Sequence, residues 1–117
     1  MAKLSKLDNW SIIRLSSGPG ATCHFVGIGW NHPYVINGHT LMSSEIEEVS
    51  ADVSRGQTQN TLYLLSTPCS REQFVAQFEA RVKTYLEAVY GFADEFGWIS
   101  AEEWRLEDML RRGGRPH

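Results

Sequence analysis

Residues 58–73, Thr-Gln-Asn-Thr-Leu-Tyr-Leu-Leu-Ser-Thr-Pro-Cys-Ser-Arg-Glu-Gln, contain the point at which the chain changes character. Leu62 to Leu65 form an apolar run between polar flanks and read as a strand, which Thr67-Pro68 stops. Ser70 and Gln73 then stand at capping-box spacing, where each side chain can bond the other's backbone N–H, so a helix begins at once. The chain is β-rich before position 66 and helical after position 70, an α+β arrangement.

Upstream, Trp10 to Leu15 is β-branched and aromatic-rich, and Ser16-Ser17-Gly18-Pro19-Gly20 supplies the residues that end it. Between Ala21 and Gly29, Cys23, Phe25 and Gly27 alternate with His24, Val26 and Ile28, the pattern of a central strand. Residues 30–39 hold Asn31, Pro33 and the turn pair Asn37-Gly38, and so predict an ordered loop. Thr40 to Met42 and Ile46 to Val49 read as two short extended segments, Arg55-Gly56 as a turn, and Thr58 to Ser66 as the last strand.

Downstream, Phe74, Phe78, Val82, Tyr85, Leu86, Val89 and Phe92 or Ala93 recur at steps of three and four. This predicts one long helix of roughly five to seven turns, ending between Gly91 and Gly97. Ser100 and Glu103 form a second capping-box pattern, opening a short helix through Trp104, Leu106, Met109 and Leu110 that Gly113-Gly114 ends. The expected architecture is a small antiparallel sheet or SH3-like, partly open barrel of about five strands, followed by one long and one short helix. A single domain is expected over 1–117, with a β-rich unit at 10–66, a helical segment at 70–112 and a flexible tail at 113–117.

The 117 residues exclude a two-domain enzyme, and 42% hydrophobic with 21% charged residues exclude a disordered or collagenous chain. The net charge is −3, and no Lys or Arg lies between Arg14 and Arg55, a span that contains Glu45, Glu47, Glu48 and Asp52. Such a stretch repels phosphate, so direct nucleic-acid binding is not expected. The basic group Arg105, Arg111, Arg112 and Arg115 reads as complementing a helix C-terminus. Cys23 and Cys69, without paired metal or redox spacing, read as buried thiols. No signal-like or membrane-length apolar run occurs, and a cytoplasmic protein that needs no membrane is expected.

Chemistry-bearing clusters are few, and no catalytic residue or cofactor is expected. Cys23, His24, His32 and His39 are the potential metal ligands, although spacings of eight and seven match no standard zinc pattern. They carry the alternative reading of a metal-binding regulator or metal-assisted hydrolase. Cys23 and His24 are adjacent on a strand and point to opposite faces, which argues against a nucleophile–base pair. Neither glycine-rich segment is followed by the lysine and helix of a phosphate-binding loop.

Four Trp, four Tyr and five Phe are enough to fill one core or to leave a surplus for a contact surface. Two groups qualify. Trp30 and Tyr34 lie with Pro33 in the central loop, as either a small core capping the barrel or an exposed contact, while Glu45, Glu47 and Glu48 form an acidic run that reads as a solvated face or an edge guard. Trp98 and Trp104 flank the second capping box with Glu102 and Glu103, an acidic aromatic face suited to a basic protein surface, although Trp98 also fits a hydrophobic staple.

Gly27-x-Gly29, His32-Pro33, Asn37-Gly38, Ser43-Ser44 with Ile46, and Thr58 to Thr61 followed by Tyr63 and Leu64 resemble a family of small uncharacterised bacterial and prophage proteins. The resemblance covers residues 27–65, about a third of the chain, and leaves the helices unexplained. It implies a compact β-rich module without established enzymatic activity, often encoded near mobile elements.

The functional expectation is a non-enzymatic protein-binding module. A phage or prophage accessory protein that inhibits or modulates a host protein complex, including a CRISPR defence complex, is its specific form. Homodimerisation through the long helix is a further expectation.

Overall fold

The computed structural model describes residues 3–15, 21–59, 61–91 and 96–111. Six strands and three helices follow in the order β1 (Lys3–Leu15), β2 (Thr22–Trp30), β3 (His39–Val49), β4 (Arg55–Thr58), β5 (Thr61–Leu65), α1 (Arg71–Gln77), α2 (Glu79–Tyr90), β6 (Phe96–Ile99) and α3 (Ala101–Arg111). The sheet order is β2-β3-β4-β5-β1-β6 with β2 also bonded to β1, so the first five strands close into a barrel and β6 is an extra strand.

Closure depends on a part of β1 that lies outside the strand expected from sequence. Residues Lys3 to Leu7 pair in parallel with Thr61 to Leu65, whereas Ile12 to Leu15 pair antiparallel with Phe96 to Ile99. Between these halves the register against β2 shifts from Asp8 to Ser11, and Asn9 takes φ 48°, a bulge that lets one strand serve two partners. The barrel is therefore closed rather than partly open, with one parallel pairing among antiparallel ones.

Three sequence boundaries move. Arg55-Gly56 lies within β4, and the turn before it is built from Ser50 to Ser54, with Asp52 accepting from the Ser50 and Ser54 hydroxyls at 2.8 and 2.7 Å. Thr58 to Ser66 is not one strand, because β4 ends at Thr58 and β5 returns antiparallel from Thr61. The two segments at 40–49 are a single strand whose register shifts between Ile46 and Glu48.

Inside the barrel, Phe25 sits edge-on to Trp10 and Tyr63, with ring centroids 6.3 and 5.8 Å away. Gly56 is required beside it, since a Cβ there would come within 2.2 Å of Phe25 Cζ. A second cluster forms between the outer face of the sheet, at Ile13 and Val26, and the helical row Phe74, Phe78, Val82 and Leu86. This row is the buried part of the expected stripe, while Tyr85 and Val89 remain exposed.

Both bonds of the Ser70–Gln73 capping box form, at 3.2 and 3.0 Å. The expected long helix is interrupted at Phe78, whose φ of −123° separates α1 from α2 although the Phe78 N–H still reaches the Phe74 carbonyl at 2.8 Å. α2 stops at Tyr90, with Gly91 in the left-handed conformation. Ser100 accepts from the Glu103 N–H at 3.1 Å and caps α3. The expected turn at 16–20, the Phe92 or Ala93 end of the stripe and the 113–117 tail lie outside the described residues. No helix among the described residues is long and apolar enough to cross a membrane.

Candidate binding surface

α1 and α2 cover the outer side of β2 and β3, and α3 packs separately against the barrel through Trp104. Val26, Ile28 and Met42 on the outer face of β2 and β3 pack into the helical cluster, while the outer residues of β5 and early β1 have no such cover among the described residues. Strand alternation places Ser5, Leu7, Thr61, Tyr63 and Leu65 inward and leaves Leu4, Lys6, Leu62 and Leu64 outward.

The register arranges these outward residues into two rows. Trp30, Lys6, Leu64 and Arg55 are successive cross-strand neighbours from β2 through β1 and β5 to β4. Leu4, Leu62, Gln57 and Glu48 form the next row, from β1 to β3. Leu4 is 53% exposed, and Leu64 and Trp30 are exposed to 38% and 37%. Together they make an apolar strip with Lys6 and Arg55 in one row and Glu48 at the end of the other.

The 31–38 loop extends this strip. Gly38, at φ 84°, lies under the Trp30 indole, whose N–H donates to Asp8 Oδ2 at 3.0 Å. Asn37 Oδ1 accepts from the Asn31 N–H at 2.8 Å, and His32 stacks on Tyr63 at 6.2 Å between ring centres. Held at these points, the loop presents Tyr34 and Ile36 at 89% and 73% exposure. Glu45, Glu47 and Glu48 are exposed on β3, which is bonded on both sides, so they line a solvated sheet face rather than guard an edge.

The second aromatic group separates. Trp104 is 3% exposed and belongs to the barrel core, which removes it as a contact residue; its indole N–H has no partner among the described residues. α3 is set against the barrel by Arg105, which donates to the Ser50 and Ala51 carbonyls at 2.9 and 3.2 Å, and by the Arg14–Glu107 ion pair, so Trp104 faces inward. Trp98 is half-buried, donates to the Cys69 carbonyl at 3.3 Å and carries the Arg71 guanidinium 5.4 Å above its ring. Trp98 and Glu102 do line one cleft, which Glu103, although exposed, does not join.

The metal expectation is not supported by the geometry. Among the described residues no three His, Cys, Asp or Glu side chains are grouped to hold a metal ion, so Cys23, His24, His32 and His39 do not come together. Cys23 packs inside the barrel. His24 Nδ1–H donates to the Ser43 carbonyl at 2.9 Å, which leaves Nε2 to accept from the Thr22 hydroxyl at 2.8 Å. Burial lowers the pKa of His24 and of His32, so both rings favour the neutral form. His39 is exposed at the start of β3. Cys69, also buried, has its thiol pKa raised by burial, contrary to what a nucleophile needs.

Trp30 and Tyr34 were visible in the sequence as contact candidates, but Leu4, Leu62 and Leu64 were not. Their signal was the alternation Leu4-Ser5-Lys6-Leu7 and Leu62-Tyr63-Leu64-Leu65, which shows its outward half only once the helix-covered side is known. Comparison with protein-family models, with curated proteins and with solved structures finds no match.

Proposed function

We propose that this chain is a small, SH3-like barrel module without enzymatic activity that docks onto another protein through its helix-free face. The observation that carries this reading is the exposure of Leu4, Leu64, Trp30 and Tyr34 along adjoining strands and the loop beside them. Contiguous apolar surface rimmed by polar groups favours association, and Trp and Tyr contribute disproportionately to interface energy. Glu48 at the end of the strip, Glu45 and Glu47 on the same strand, and the net charge of −3 suit a basic surface on the partner. The partner class is a host protein or complex that the module inhibits or modulates in a reducing cytoplasm, where Cys23 and Cys69 remain thiols. The narrower form, a phage or prophage accessory protein acting on a defence complex, is supported by small size and acidic charge. A homodimer through α2 would use the exposed Tyr85 and Val89.

The test is capture from host lysate with native protein, a Tyr34→Ala/Leu64→Glu variant, and a Tyr85→Glu control, all verified as folded by circular dichroism. The expected result is a specific partner held by native protein and the control and lost by the double variant. Equal capture by all three refutes the assignment to this face.

A further inference from the structure

We propose that a cleft at the point where β1 exchanges one partner strand for another binds a small aromatic amine. β5 leaves β1 at Leu65, and the linker 66–69 follows with three backbone bonds: Ser66 N–H to Leu7, Trp10 N–H to Thr67, and Cys69 N–H to Trp10. The chain then turns into α1, and β6 takes over the same edge of β1 only from Ile12. Neither strand fills the handover, and a cleft of about 660 Å³ opens over Trp10, Ser11 and Ile12. That volume lies within the range of small-molecule sites.

Two indoles form its walls and are fixed in orientation. Trp10 Nε1–H donates to the Ser66 carbonyl at 3.1 Å, and Trp98 Nε1–H to the Cys69 carbonyl at 3.3 Å. With both donors bonded to the linker, neither indole N–H is left for a guest, and the indoles contribute apolar lining. Ser11 has the opposite property. It is 2% exposed, lines the cleft, and its hydroxyl has no oxygen or nitrogen partner among the described residues, its one neighbour being the weakly hydrogen-bonding Cys69 thiol. A buried hydroxyl in this condition gains a partner when a guest brings a polar group to it.

The charge on the cleft lining is acidic. Asp52 and Glu102 both contribute to it. Hydrogen bonds from Ser54 and Ser50 hold the Asp52 carboxyl down to about 2, so it is ionised at any physiological pH. Arg105 bonds to backbone carbonyls and Arg71 stands over Trp98, and neither forms an ion pair with these carboxylates. The guest that answers all three features has a flat apolar ring for the indole-lined cleft, a hydrogen-bonding substituent for Ser11 and an ammonium for Asp52 and Glu102. The cleft lining shares no residue with the docking strip, so the two proposals stand independently.

The test uses tyramine, which has this composition, titrated into ¹⁵N-labelled protein while the Trp10 and Trp98 indole N–H resonances are followed. Saturable shifts at both indoles are expected. Replacing the ammonium by a carboxylate, in 4-hydroxyphenylacetate, should weaken binding at least about tenfold. Removing the phenol, in phenethylamine, should weaken it about two- to tenfold. Ser11→Ala, which deletes a hydroxyl whose one neighbour is the Cys69 thiol and keeps the fold, should abolish the difference between tyramine and phenethylamine, and Glu102→Gln should weaken both amines. Absence of a saturable shift at about 10 mM tyramine overturns the proposal, as does equal affinity for the charge-reversed acid or undiminished phenol discrimination in Ser11→Ala.

Discussion

Replacing Gly56 by alanine tests the barrel interior directly. The new methyl would stand 2.2 Å from Phe25 Cζ and 2.5 Å from Cε2, far inside van der Waals contact. Phe25 cannot retreat freely, because it is fully buried and held edge-on by Trp10 and Tyr63. Overpacking of this kind costs about 1–3 kcal/mol, and the rigid surroundings place Gly56→Ala at about 2–3 kcal/mol. For a domain of this size that lowers the melting temperature by roughly 8–15 °C. Urea and thermal unfolding of native protein, Gly56→Ala, Phe25→Leu and the double variant measure it. Because Leu is shorter than Phe, the double variant should lose at least about 1 kcal/mol less than the sum of the single losses. Gly97→Ala, with nothing within 4 Å of the added atom, should change stability by no more than about 0.5 kcal/mol. If Gly56→Ala is as harmless as Gly97→Ala, or if its loss is additive with Phe25→Leu, then Gly56 lies in a turn as the sequence implied and the β4 assignment fails.

Trp104→Ala should cost about 3–5 kcal/mol in urea unfolding, as a core truncation, whereas Trp104→Phe, which removes the unpartnered indole N–H, should cost clearly less; equal losses would refute the inward placement. Ser70→Ala should destabilise by about 0.5–2 kcal/mol through loss of the capping box, seen as an earlier thermal transition by circular dichroism. His24 and His32 have pKa values lowered from 6.5 by burial, so the unfolded chain binds protons that the folded chain refuses. Stability should be fully present above pH 6.5 and fall as pH drops below it towards the folded values, and a His24→Gln/His32→Gln variant should show a flatter urea midpoint between pH 7.5 and 5.5.

Local chemistry made several elements legible. The β2 alternation, the Asn37-Gly38 turn and the Ser70 and Ser100 caps depend on neighbours within a few residues, and each was readable. Barrel closure was not. Lys3 to Asn9 is rich in Lys, Asp and Asn, residues depleted in strands, and its role arises from pairing with Thr61 to Leu65, more than fifty positions away. The β4–β5 hairpin was missed because Gln59-Asn60 carries no glycine to mark it, while Arg55-Gly56 suggested a turn where Gly56 instead makes room for Phe25. β6 was hidden by its four residues and by Gly97. Of the surface, Trp30 and Tyr34 were legible as aromatic residues among turn formers. Trp104 was misassigned because acidic neighbours on an amphipathic helix do not reveal which side meets the barrel.

The divided pairing of β1 also sets an order of events on the ribosome. Its first half must wait for Thr61 to Leu65 to be synthesised, and its second half for Phe96 to Ile99. At ordinary elongation rates the first wait lasts roughly 3–12 s. During that time Leu7, Trp10 and Ile12, later enclosed in the core, have only the β2–β3 hairpin for company. A nascent chain stalled before residue 61 would therefore expose an apolar strand edge that chaperones or a second nascent chain can take up.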